Sequence, residues 1–121
     1  MTGIIVFAHG SRIELANESV RAVAAHLSKA GNFPSVEAAF LELGQPSLDG
    51  AVTILLSKGI TRILVLPYFL TLGMHLERDL PRLVGAIAQA HPGLEISVAP
   101  PLDGHPALLQ ALLDRANSLS Q

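Results

Sequence analysis

The sequence predicts an α/β fold: one four-stranded parallel sheet with helices on both faces, in the strand order 2-1-3-4. Two observations carry this expectation. Short runs of β-branched residues and leucine alternate four times with stretches of helical spacing. The first run, Gly3-Ile4-Ile5-Val6-Phe7-Ala8, is apolar without a break, the pattern of a strand buried on both faces. No linker, low-complexity tract or internal repeat divides the 121 residues, so one domain over 1–121 is expected.

The first strand, 3–8, stops abruptly at His9-Gly10-Ser11-Arg12. A helix follows over 14–29, with Ala16, Val20, Val23, Ala24 and Leu27 as its apolar stripe. Gly31-Asn32-Phe33-Pro34 ends it. The second strand is read at 35–43, with Val36, Ala38 and Phe40 inward, Leu41 as a further inward candidate and Glu42 at its end, before Gly44-Gln45-Pro46. Ser47 caps a helix to Lys58 that buries Leu48, Val52, Leu55 and Leu56, and Gly59 suits the left-handed turn after it.

The third strand is 60–66. A long loop carrying His75 is expected next, because Asp79 is a good cap and Pro81 fits a first helical turn. Leu83, Val84, Ile87 and Ala88 line that helix, and His91-Pro92-Gly93 stops it. The fourth strand is 94–99. Pro106 opens a last helix with Leu108, Leu109, Leu112, Leu113 and Ala116 on one stripe, and 117–121 is expected to fray.

Composition narrows the chemistry. Half of the residues are hydrophobic and only 15% are charged, with no Trp, so Leu, Ile, Val and Ala build the interior. The absence of Cys removes disulfides, thiolate nucleophiles and thiolate metal sites. A net charge of -2 argues against general nucleic-acid binding. No apolar run approaches the ~20 residues of a membrane helix and no leader pattern opens the chain, so a cytoplasmic protein that binds no membrane is expected.

In open parallel sheets, ligands bind beyond the carboxyl ends of the strands, where the strand order reverses. Right-handed crossovers bring all the loops that follow strands to that edge. His9, Glu42, His75 and His105 each follow a strand. With the order 2-1-3-4, His9 and His75 flank the reversal point and Glu42 stands beside His9. Two imidazoles and a carboxylate, without Cys, suit a divalent first-row metal. Arg12, Arg78 and Arg82 lie in or beside the same segments, and arginine forks grip carboxylates. Leu70, Leu72 and Met74 either face a flat apolar ligand or plug the loop onto the body. Each histidine also has a plainer reading. His26 is a surface helix residue, His91 favours a helix C-terminus, and His105 neighbours an N-cap.

These motifs carry a resemblance. His9-Gly10-Ser11-Arg12, Glu42 ahead of Pro46, and Pro67-x-Phe69-Leu70-x-x-Gly73-x-His75-x-x-x-Asp79-x-Pro81 resemble the class II tetrapyrrole chelatases. The likeness is to the short sirohydrochlorin cobaltochelatase/ferrochelatase form, the CbiX type. It extends to Pro101-Leu102 and Asp114-Arg115-Ala116, nearly the whole chain. The resemblance implies one lobe of a chelatase-like fold. It implies insertion of Co(II), Fe(II) or Ni(II) into sirohydrochlorin without a nucleotide, the metal being a substrate and no cofactor being tightly bound. His9 and His75 would hold the metal and Glu42 would assist metal binding or proton removal. Ser11, Arg12, Leu72, Gly73 and Arg78 would contact the anionic tetrapyrrole, and two chains would pair as a homodimer. The sequence departs from some relatives in lacking a histidine-rich insertion before the fourth strand. It also places Gln45 and Leu72 where some have an acid and a further His.

Three rivals remain: a carrier, a histidine phosphatase, and a sugar-transport phosphocarrier of the histidine phosphotransfer kind. A non-catalytic metal or tetrapyrrole carrier would keep the same ligands and lose turnover. A histidine phosphotransfer domain also places a His after its first strand. A histidine phosphatase, however, wants Arg where Ala8 stands, and a phosphocarrier has no use for Glu42 and His75.

Overall fold

The computed structural model describes residues 2–119. The elements run β1 (Thr2–Ala8), α1 (Glu14–Gly31), β2 (Val36–Phe40), α2 (Leu48–Ser57), β3 (Arg62–Pro67), α3 (Gly73–Ala90), β4 (Glu95–Val98) and α4 (Pro106–Leu119). All strand pairs are parallel and the order is β2-β1-β3-β4, as the alternating pattern predicts.

β1 is central, and its side chains feed two cores in alternation. Ile5 and Phe7 join Ala39, Ile63 and Val65 under α2 and α3, which contribute Val52, Leu55, Leu76, Leu80 and Ile87. Val6 and Ala8 point the other way, onto Val20 and Ala24 of α1, with Ala38 and Phe40 of β2. Full burial of a side chain such as Phe7 or Ile5 stabilises by about 2 kcal/mol each. Ser47 caps α2 as expected, its hydroxyl accepting from the Gly50 N–H at 3.1 Å.

Four expectations need correction. The second strand stops at Phe40 because Leu43 turns the chain at φ 58°, so Glu42 lies beyond the strand. α3 starts at Gly73 (φ 72°), not at Asp79, so the connection is only 68–72 and His75 sits on the helix's first turn. Leu76 and Leu80 extend the buried stripe of Ile87 by two turns, and that burial outweighs Pro81 inside the helix. Pro81 removes the N–H that would bond the Glu77 carbonyl, but both residues are exposed. In α1, Ala16 is exposed and Asn17, 1% accessible, takes its place in the stripe. Asn117 to Leu119 are helical rather than frayed, while Ser120 and Gln121 lie outside the described residues.

Candidate functional site

The carboxyl edge of the sheet gathers the residues singled out above, in two groups. The first is built by extending the β1–β2 ladder past the strand ends. The Leu41 N–H donates to the Ala8 carbonyl (2.9 Å) and the Glu42 N–H to the His9 carbonyl (3.1 Å). Glu42 is thereby drawn alongside His9, with Nε2 to Oε1 at 3.8 Å. Gly10 permits this approach. It adopts φ 96°, and a Cβ there would overlap the Glu42 carbonyl oxygen.

Both side chains are more than half exposed, 59% for His9 and 58% for Glu42, so both remain open to a ligand. His9 Nδ1 lies 3.2 Å from the Gly10 carbonyl. A carbonyl only accepts, so a neutral His9 donates from Nδ1 and keeps the Nε2 lone pair facing Glu42. A metal-ligating imidazole uses that arrangement, its second nitrogen tied to an acceptor that fixes the ring.

Asn17 holds this group together. The Ser11 N–H donates to its Oδ1 (2.9 Å), and its Nδ2 donates to the carbonyls of Ser11 (2.9 Å) and Leu43 (3.0 Å), with Glu14 Oε2 at 3.3 Å. One buried amide thus locks the loop bearing His9 to the loop bearing Glu42, and fixes Leu43 in its left-handed turn. Arg21 supports it from outside. It pairs with Glu14 (2.7 Å) and Glu18 (2.6 Å), donates to the Gln45 carbonyl (2.8 Å), and lies over the Phe40 ring at 5.2 Å. The Arg21 hydrogen bond, then that of Asn17, holds the Glu14 carboxyl below its ordinary value, and Glu14 in turn raises Arg21.

The second group stands on the loop 68–72 and the start of α3. The Tyr68 N–H donates to the Phe7 carbonyl (2.7 Å), and Phe69 packs edge-on against Phe7. His75, Arg78, Asp79 and Arg82 share one exposed helical face by their spacing. Of the three apolar residues, Leu72 packs on the core as a plug, while Leu70 and Met74 (85% accessible) face outward. Arg12 is exposed and Ser11 is half-buried, its hydroxyl accepting from the Ile13 N–H at 3.0 Å.

Among the described residues, no three His, Asp or Glu side chains come close enough together to hold a metal ion. His9 and Glu42 meet, and His75 does not complete a cluster with them. His105 is taken up in capping α4, its Nδ1 accepting from the Ala107 N–H at 3.0 Å. His26 is exposed on α1 and His91 caps α3. Asn17, Arg21 and the close approach at Gly10 were not anticipated from sequence. The available signal was a polar residue in register with Val20 and Ala24, at a position the apolar stripe should have claimed.

Comparison with known proteins identifies the family. The CbiX family model matches residues 3–119. The sirohydrochlorin cobaltochelatase of Saccharolobus solfataricus is 35% identical over 123 aligned residues, covering 97% of this chain and 94% of that protein. The CbiX protein of Marinobacter aquaeolei VT8 superposes with a TM-score of 0.85 at 30% identity, covering 98% of this chain and 96% of that one. The cobalt complex of the sirohydrochlorin chelatase SirB from Bacillus subtilis subspecies spizizenii superposes with a TM-score of 0.89 at 25% identity, covering 98% of this chain but 50% of that one. The chain spans between 50% and 64% of the length of the first curated relatives that it matches. Among the described residues, no helix is long and apolar enough to cross a membrane.

Proposed function

The chain belongs to the CbiX family, and from that membership we propose that it inserts a divalent metal (cobalt, iron or nickel) into sirohydrochlorin without a nucleotide. The observation that carries the proposal is the exposed His9–Glu42 pair, 3.8 Å apart at the carboxyl edge of the sheet. The metal is a substrate here. His9, through Nε2, and His75 would take the place of waters on one side of the ion and leave its other side to the macrocycle. Two ligands of this kind suit a site that must release its ion, since a closed four-ligand site would retain it.

Insertion releases two pyrrole N–H protons as the metal forms its bonds to the ring nitrogens. Glu42 would accept one of them and a histidine freed of the metal the other. Arg12 and Arg78 would hold peripheral carboxylates of the ring, with Ser11, Leu72 and Gly73 shaping its seat. We take residues 1–121 as one such lobe, at work in the cytoplasm. The working unit is a homodimer, because one sheet edge offers a shelf and a tetrapyrrole is a broad plate that needs covering on both faces.

Visible spectra of sirohydrochlorin mixed with the protein and each metal test this directly. The expected result is protein-dependent, catalytic conversion of the free-base bands with at least one metal. Conversion no faster than in buffer for all three metals would overturn it. A spectral change limited to one ring per chain would identify a carrier instead.

A further inference from the structure

We propose that Ile13 and Leu43 are specificity-determining residues that take one face of the macrocycle, beside the carboxylate of Glu42. The inference rests on the tetrapyrrole reading above and names the apolar contacts of that site on its His9 side.

Leaving α4 aside, five large apolar side chains among the described residues are at least half exposed. They are Ile13, Leu15, Leu43, Leu70 and Met74, from 50% for Leu43 to 85% for Met74. All five lie in the segments that follow β1, β2 and β3, at the edge that carries His9, Glu42 and His75. None of them packs against either core. Single apolar residues are ordinary on a surface, but five at one edge mark a place where something apolar lies.

Two of the five stand where the backbone asks for a different residue. Ile13 occupies the N-cap of α1 in an extended conformation (φ −85°, ψ 108°) and makes no side-chain cap bond. Ser, Thr, Asp or Asn there would accept from an unpaired N–H of the first turn, and Ile cannot. Leu43 stands at φ 58°, in the left-handed region that suits Gly or Asn and crowds the Cβ of a leucine. Neither choice gains burial in return, since Ile13 is 67% exposed and Leu43 half exposed. Local rules broken without a gain inside the fold belong to functional positions.

Both residues are nonetheless held in place. The Asn17 amide donates to the carbonyls of Ser11 and Leu43, and the Ser11 hydroxyl accepts from the Ile13 N–H. Leu43 also lines, with Leu41 and Glu42, an open hollow of about 540 Å³. Apolar contacts anchored in advance cost an incoming ligand little ordering. The arrangement matches a plate with an apolar face and an anionic rim. Ile13 and Leu43 meet the face, and Arg12, next to Ile13 in the chain, meets the rim.

The test separates this role from support of the fold, because stability and binding are expected to move in opposite directions. Ile13→Ser supplies the missing cap and Leu43→Asn suits the left-handed turn, so each is expected to raise the urea midpoint. Each is also expected to weaken binding of metal-free sirohydrochlorin about fivefold, followed by the fluorescence of the ring, with turnover at saturating ring within twofold of wild type. Phe33→Ser, at an exposed apolar position in the α1–β2 connection on the opposite edge of the sheet, is expected to leave that affinity unchanged. Wild-type affinity in both Ile13→Ser and Leu43→Asn overturns the inference. A lower mass by light scattering alongside that unchanged affinity would assign the two side chains to a contact between chains instead. Weaker binding together with a lower urea midpoint overturns it as well, since that is the mark of a residue that only supports the fold. The titration needs no metal. A chain that binds the ring and never inserts metal therefore loses the chelatase reading, while the two variants still decide the inference. A wild-type chain that binds no ring overturns both.

Discussion

Both pairs of loops at the carboxyl edge are joined by two backbone hydrogen bonds, yet they differ in what lies beneath them. Under the β1 and β2 loops sits Asn17, buried and fully engaged, with Arg21 outside it. Under the β3 and β4 loops there is no such clamp among the described residues. Their helices present exposed side chains, His75, Arg78 and Met74 from α3 and, from α4, residues 106–118 apart from the half-buried Leu108. The braced half offers a fixed imidazole and carboxylate. The open half offers a second imidazole and two cations on an exposed helical face. The insertion proposed above would take the metal on the braced side and meet the ring from the exposed one.

The sharpest way to break this division is to remove one imidazole from each half. His9→Ala and His75→Ala are each expected to lower insertion by at least ~100-fold, with unchanged circular dichroism. A near-normal rate in either variant would take that half out of the chemistry. Asn17→Ala tests the brace itself. It strands the Ser11 N–H and the Leu43 carbonyl, and is expected to cost about 3 kcal/mol in urea denaturation. Its rate loss should exceed that of an equally destabilising core change such as Val52→Ala. Equal losses would make Asn17 merely structural.

Glu42→Gln is expected to lower turnover about tenfold while tetrapyrrole binding, read by fluorescence quenching, stays within twofold. Weak binding with normal saturated turnover would recast Glu42 as a positioning group. The brace also carries a pH signature. Glu14 is held below its ordinary value of 4.5, so its contribution to stability is present above that value and is lost as the pH falls through the lower folded-state value. The gap in urea midpoint between wild type and Glu14→Gln should therefore close in acid. A gap unchanged down to pH 3 would contradict the pairing. His26→Ala and His91→Ala should leave insertion unaltered, and a loss in either would point to a different pair of imidazoles.

The sheet order and the meeting of His9 with Glu42 were legible in the sequence because both follow from hydrophobic runs and crossover handedness. The start of α3 was not. Asp79 and Pro81 are strong helix-opening signals, and only the burial of Leu76 and Leu80 shows that the helix began earlier. Asn17 was hidden for a related reason, since periodicity scores a polar residue as outward and cannot see a loop that will reach for it. The stripe on α4 was legible as apolar. Sequence alone did not say that its own chain would leave it uncovered.

The all-parallel sheet has a kinetic consequence. β1 is made first and sits at the centre, but one of its neighbours is paired between positions 2 and 62, with the span ending only at Pro67. Its apolar side chains therefore wait for half the chain before they can be enclosed. Folding that depends on such distant pairing is slow for a domain of this size, and the waiting strand is exposed to other chains meanwhile. Refolding yield should fall with protein concentration even where the native state is amply stable.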